Sequence, residues 1–169
     1  VLPLWRETTF AGAPFAANPL NKTAYPLQWF AMIPPAGIFL DGMIALHMLI
    51  AAWGMWRWAR GVGIRIEAAA LSAIAYALSP RLIAHLGAGH LDIVYAMAWL
   101  PLLMERVNRL SLERTLINLI VLSAAGAMLV LADVRIGLFG LVAASVYGLS
   151  LMVRKHPALR VIGLGVGAA

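Results

Sequence analysis

The chain has no cysteine, few charges and very few acids. Without cysteine there is no disulfide framework and no thiolate metal site. Charged residues fill 12% of the 169 positions and hydrophobic residues 63%, against roughly 25% and 45–50% in soluble domains, which excludes an ordinary soluble core. Seven acids face thirteen basic residues, a net charge of +6. A basic surplus suits nucleic acid when it lines one polar face. Here the basic residues border apolar runs, so no nucleic-acid partner is expected. The opening Val1-Leu2-Pro3-Leu4-Trp5 resembles neither a signal peptide nor a transit peptide.

What is present is a rhythm. Arg57, Arg60 and Arg65 form one basic cluster, Arg106, Arg109 and Arg114 a second, and Arg154, Lys155 and Arg160 a third. Isolated cations alternate with them: Arg6 and Lys22, then Arg81, then Arg135. Membrane proteins hold Lys and Arg on the cytoplasmic side of apolar spans. Nine basic residues then fall on the cytoplasmic side and four outside, with the N-terminal segment outside.

Residues 1–35 carry Pro3, Pro14, Pro19, Pro26, Pro34 and Pro35, which oppose a continuous helix. They read as an extracytoplasmic loop with short interfacial helices, where Trp5, Tyr25, Trp29 and Phe30 suit the headgroup level. Residues 36–169 read as a partial transmembrane bundle. A first helix runs from about Ala36 to Arg60, entered at Pro34-Pro35. A second runs from Ile66 to Leu78, is broken at Ser79-Pro80, and continues over Arg81–Leu86. Its Ala69, Ala73 and Ala77 make a small face for a close neighbour. A third spans Leu91 to Asn108 with a bend at Pro101. A fourth (Thr115–Ala132) and a fifth (Ile136–Val153) form a tight hairpin across Asp133-Val134-Arg135. Val161–Ala169 reads as the start of a sixth span and too short to cross alone. The expected fold is therefore all-α: a polytopic transmembrane helix bundle of about five spans plus a truncated sixth. The chain reads as an internal fragment of a longer protein.

This topology collects Glu7, Asp41, Arg81, His85, His90, Asp92, Asp133 and Arg135 on the outer face. The inner acids Glu67, Glu105 and Glu113 each sit beside an Arg cluster, and Glu105 stands four residues before Arg109, so anchoring explains them. Asp41, one turn inside the first helix, has two readings: an acid favoured by the helix dipole, or a functional intramembrane acid. His47 lies six residues on and is rotated away from Asp41; it reads as a neutral histidine bonded to a neighbouring helix. His85-Leu86-Gly87-Ala88-Gly89-His90-Leu91-Asp92 brings two imidazoles and a carboxylate to a glycine-rich turn. Such groups can bind a divalent cation or a phosphate, or move a proton, although the spacing matches no standard zinc pattern. Capping of the third helix is the alternative reading of Asp92. Gly163, Gly165 and Gly167 do not make a dinucleotide loop, because no strand precedes them.

Several segments resemble YfhO-like bacterial membrane proteins, which belong with the polytopic GT-C (protein mannosyltransferase-like) glycosyltransferases. They are Leu2-Pro3-Leu4-Trp5, Phe10-Ala11-Gly12-Ala13-Pro14-Phe15, Ala17-Asn18-Pro19 and Tyr25-Pro26 in the loop, then His47, Ala75-Tyr76-Ala77-Leu78-Ser79, Gly89-His90-Leu91 and Ala98-Trp99-Leu100-Pro101-Leu102. The likeness covers roughly residues 2–110. It implies transfer of a sugar from a polyprenyl-phosphate donor to an extracytoplasmic acceptor, in a bacterial-type inner membrane. The family's acid on the first outer loop would lie upstream of Val1, and Glu7 does not take its place. The fragment is expected to be inactive alone. Lys22, Arg81, His85 and Arg135 are the candidate donor-binding residues. Asp41, His90 and Asp92 are candidate supports for proton transfer, with a divalent cation as the conceivable cofactor and no metal site assigned. The alternative function is a lipid-linked-sugar flippase or another transporter, which would place its polar site at mid-membrane on broken helices.

Overall fold

A computed structural model describes residues 4–7 and 12–155. Arg160 and the expected sixth span lie outside the described residues. Among the described residues six helices carry the fold: α1 (Ala36–Gly61), α2 (Ile66–Ala77), α3 (Pro80–Gly87), α4 (Leu91–Leu112), α5 (Leu116–Ala132) and α6 (Val134–Lys155). Ahead of them, β1 (Trp5–Arg6) pairs antiparallel with β2 (Ala13–Pro14), Trp5 opposite Pro14, and short 3-10 turns cover Pro19–Asn21 and Pro26–Met32.

The boundaries follow from local chemistry. Pro35 precedes α1 with an extended ψ of 145°, as residues flanking a helix start require. The break at Ser79-Pro80 is the expected one: Ser79 is extended, and Pro80 opens α3 where its missing N–H costs nothing. Thr115 caps α5 by accepting the Asn118 N–H at 3.3 Å. The hairpin between α5 and α6 is tighter than the three-residue link expected, because Asp133 alone joins them.

Helix α4 is the hub and packs against α1, α3, α5 and α6. Small residues allow the approach. A Cβ on Gly54 of α1 would sit 2.9 Å from the backbone nitrogen of Leu102 on α4. Ala69, Ala73 and Ala77 are the buried residues of α2, as their four-residue spacing implied, and Ala77 meets Ala51 of α1 and Ala98 of α4. Pro101 lies buried inside α4 and supplies no N–H to the carbonyl of Met97 four residues earlier. Tyr76 of α2 donates its hydroxyl to that carbonyl at 2.8 Å, so the proline leaves no orphan acceptor.

The outside of the bundle is apolar. Leu49 is 68% exposed, Phe139 76% and Leu149 61%, while His47, Glu105, Asn108, Asn118 and Asp133 are buried. Polar residues inside and large apolar ones outside suit a bundle bathed in lipid. Among the described residues three stretches are long and apolar enough to cross a membrane: Ala36–Gly61, Ile66–Gly87 (α2 with α3) and Val134–Arg154. Helix α5 is apolar but shorter, and α4 carries Asp92, Glu105, Arg106 and Arg109. The up-and-down order separates two ends. The N-terminal loop, the α3–α4 turn and the Asp133 link share one; the α1–α2 and α4–α5 turns and Arg154 share the other, the basic end.

Candidate functional site

At the loop end, one tyrosine anchors the N-terminal segment. Lys22 adopts a left-handed conformation, φ 53°, which is costly for a residue with a side chain. The turn is held by Lys22 N–H to Pro19 O at 3.2 Å and Tyr25 N–H to Lys22 O at 2.9 Å. It delivers Tyr25 into the bundle, where it is fully buried. Its ring is covered by protein and does not lie on the surface of the loop. Its hydroxyl lies 2.6 Å from His47 Nε2, and Trp99 Nε1 donates to it at 2.8 Å.

His47 Nδ1 lies 2.6 Å from the Met43 carbonyl, which can only accept. Nδ1 therefore carries the proton and Nε2 accepts from Tyr25. One direction of bonding satisfies every group: Trp99 N–H to Tyr25 O, Tyr25 O–H to Nε2, Nδ1–H to Met43 O. A neutral imidazole results. The expected neighbouring-helix bond is replaced by bonds to the loop and to α1 itself, and α4 contributes a ring stack, Tyr95 at 4.0 Å between centroids. Burial pushes the Tyr25 phenol above its ordinary value, against the opposing pull of the Trp99 N–H. Lys22 Nζ lies 5.9 Å from the Tyr95 ring centre.

A second constellation ties α4 to the α5–α6 link. Asp133 is buried, and its Oδ1 accepts the N–H groups of Arg135 at 2.8 Å and Ile136 at 3.0 Å, capping α6. The Arg135 guanidinium lies 2.6 Å from Asp133 Oδ2 and 2.8 Å from Asp92 Oδ2. Asp92 thus turns to Arg135, and no side chain caps α4 at His90. Burial raises the Asp133 carboxyl, but the hydrogen bonds from Arg135 and from Ile136 N–H outweigh it and hold it below its ordinary value.

His85 and His90 face each other across the turn at Gly89, φ 74°, with their Nδ1 atoms 3.3 Å apart and exposed. Among the described residues no group of three or more His, Cys, Asp or Glu side chains could hold a metal ion. Of the other candidates, Arg81 is exposed in the first turn of α3 and Asp41 is exposed on α1. The structure thus joins Asp92 with Arg135, and His85 with His90, while Asp41 and Arg81 stand apart from both pairs.

The basic end holds a buried carboxylate that spacing alone did not reveal. Glu105 is 1% exposed and meets three guanidinium groups: Arg57 at 3.0 Å, Arg106 at 2.7 Å and Arg109 at 2.8 Å. The Arg106 contact is an ion contact too oblique to be a hydrogen bond. Arg57 also lies over the Trp53 ring at 4.9 Å. Asn108 donates to Gly61 O at 3.0 Å beside it. The Arg109 pair was legible as an i,i+4 spacing; Arg57 lies 48 residues away, and no local pattern announces it. No protein-family model matches the chain, and no curated protein or solved structure matches it either.

Proposed function

We propose that this chain is part of a polytopic membrane glycosyltransferase, taking a sugar from a polyprenyl-phosphate donor on the extracytoplasmic face. In this reading the bundle makes five spans, α1, α2 with α3, α4, α5 and α6, with the loop end outside. The chemistry rests on the GT-C resemblance of residues 2–110. The observation that carries the location is the Tyr25–His47–Trp99 network, which seats the loop on α1 and α4 at 2.6 and 2.8 Å. It fixes Lys22 at the end of the bundle that also bears Arg81, His85 and His90. A lipid-linked phosphate at headgroup level then meets cations on a preformed surface. Arg81 is exposed and unpaired among the described residues, which suits donor binding. Arg135 already spends its charge on two carboxylates, so it acts by holding α6 to α4.

The test is sugar transfer from radiolabelled polyprenyl-phosphate sugars in membranes carrying the intact native protein. Arg81→Ala and Lys22→Ala should each lower transfer at unchanged abundance. Full transfer by the double variant, or none by the wild type, overturns the reading. One observation favours the transporter alternative: the span Ile66–Gly87 is interrupted at Leu78-Ser79, as transporter helices often are. Movement of a fluorescent lipid-linked sugar across proteoliposomes, without sugar transfer, would select it.

A further inference from the structure

Helices α5 and α6 leave Asp133 in close contact and then part. Near the link, a Cβ on Gly137 would sit 2.7 Å from Val130 Cα, and one on Gly140 would sit 2.6 Å from Leu129 Cδ2. Two turns later α6 has left α5 for α4: a Cβ on Gly148 would meet Val107 of α4 at 3.3 Å, with no α5 atom within reach. The space between is a wedge floored by α4, formed by adjoining cavities of about 870 and 390 Å³ that share Val107, Leu122, Gly148 and Met152. From Leu141 to Met152 it runs about 16 Å along α6 at 1.5 Å per residue, close to the roughly 15 Å of one leaflet. Its walls are almost wholly apolar. Its mouth, at the basic end, is edged by Arg114 and Thr115.

Arg114 is exposed and forms no ion pair among the described residues. Seven arginines (57, 60, 65, 106, 109, 114 and 154) share this end with three glutamates, 67, 105 and 113. We infer that the wedge holds one acyl chain of an anionic glycerophospholipid whose phosphate rests on Arg114. Length, apolar walls and a cationic mouth all fit that occupant. The chain's own tail fits less well by charge, since residues 156–169 carry His156 and Arg160 and no acid. The inference rests on the membrane setting and is independent of the glycosyl-transfer reading.

The full chain in nanodiscs of equal phosphatidylglycerol and phosphatidylcholine, examined by native mass spectrometry, tests it. The wild type should retain phosphatidylglycerol over phosphatidylcholine by about fivefold, the worth of one arginine beside a net-anionic headgroup, because the choline cation offsets the phosphate of phosphatidylcholine. Arg114→Gln should erase the preference. Ser145→Phe and Leu119→Trp each fill the wedge from an exposed lining position and should lose the retained lipid, with helicity checked by circular dichroism; either variant alone suffices if the other unfolds. Equal retention in the wild type, a preference that survives Arg114→Gln, or lipid kept by a folded wedge-filling variant overturns the inference. So does disulfide formation between cysteines placed at Leu119 and Leu164, which would seat the tail in the wedge.

Discussion

The Tyr76 hydroxyl donates at 2.8 Å to the Met97 carbonyl, the acceptor that Pro101 cannot serve. A side chain of α2 thereby repairs the ladder of α4. Tyr76→Phe should cost about 1–3 kcal/mol, the usual penalty for a buried acceptor left unsatisfied. In a Pro101→Ala background the backbone N–H returns, and the same substitution should cost less than half as much. Equal costs in both backgrounds, measured by unfolding in mixed micelles, would break the link between proline and tyrosine.

Tyr25 holds the loop by a hydroxyl shared between His47 and Trp99. Tyr25→Phe keeps the ring but strands His47 Nε2 and the Trp99 N–H, a loss on the order of 1–3 kcal/mol. The loop should loosen while the helices stay folded. Hydrogen exchange over residues 19–32 should quicken and exchange in α4 should not. Unchanged loop protection would mean that apolar packing alone seats it.

Glu105 compensates three arginines at a position 1% exposed. Glu105→Gln should destabilise by about 1–3 kcal/mol, because it leaves the half-buried guanidinium groups of Arg57 and Arg106 without their carboxylate. Arg57→Met in the Glu105→Gln background should cost less than Arg57→Met alone, a coupling of about 0.5–3 kcal/mol in a double-mutant cycle. Additive losses would show that Arg57 contributes packing against Trp53 and little charge.

Helix order and limits were legible because proline, glycine and charge punctuate the apolar runs. Pro35, Ser79-Pro80 and the Arg clusters stand at the ends of α1, α2 and α3, and the period of Ala69, Ala73 and Ala77 marks the buried side of α2. The site was less legible because its bonds are long-range. Asp92 looks like a helix cap from its neighbours, and only the packing of α6 on α4 brings Arg135, 43 residues away, into reach. Tyr25 among other aromatics reads as interfacial, and its partner Trp99 lies 74 residues on. Strands of two residues, such as β1 and β2, leave no period to detect. Small residues were the visible half of the packing; His47 and Glu105 were legible as polar groups with a partner, but their distant partners Tyr25 and Arg57 were not.

Asp133 gives the fold a pH dependence of defined sign. Its folded pKa lies below the ordinary 3.8, so the ionised form is the one the fold stabilises. The contribution is fully present above pH 3.8 and is lost as pH falls through the depressed value. Unfolding followed between pH 6 and pH 2 should show stability falling at the acid end. Asp133→Asn should be less stable near neutrality and should lose part of that acid slope. A variant that keeps the full slope would place the titration in another carboxylate.

The separation of charge between the two ends yields the most direct test of orientation. Gly61 and Ser111 lie at the basic end, Gly87 and Val134 at the loop end. The chain has no cysteine, so each can be replaced singly on a clean background. With the basic end in the cytoplasm, an impermeant thiol reagent applied to intact cells should label Gly87→Cys and Val134→Cys. Gly61→Cys and Ser111→Cys should label only after permeabilisation. Gly61 and Ser111 make the stricter pair, because the α1–α2 and α4–α5 turns flank different spans and must agree. If α5, the shorter apolar helix, failed to cross, Ser111 and Val134 would fall on the same side while Gly61 and Gly87 still differed. The four positions together therefore test the three crossings between them, α2 with α3, α4 and α5, as well as the orientation, and labelling of Gly61 or Ser111 without labelling of Gly87 and Val134 would invert the topology.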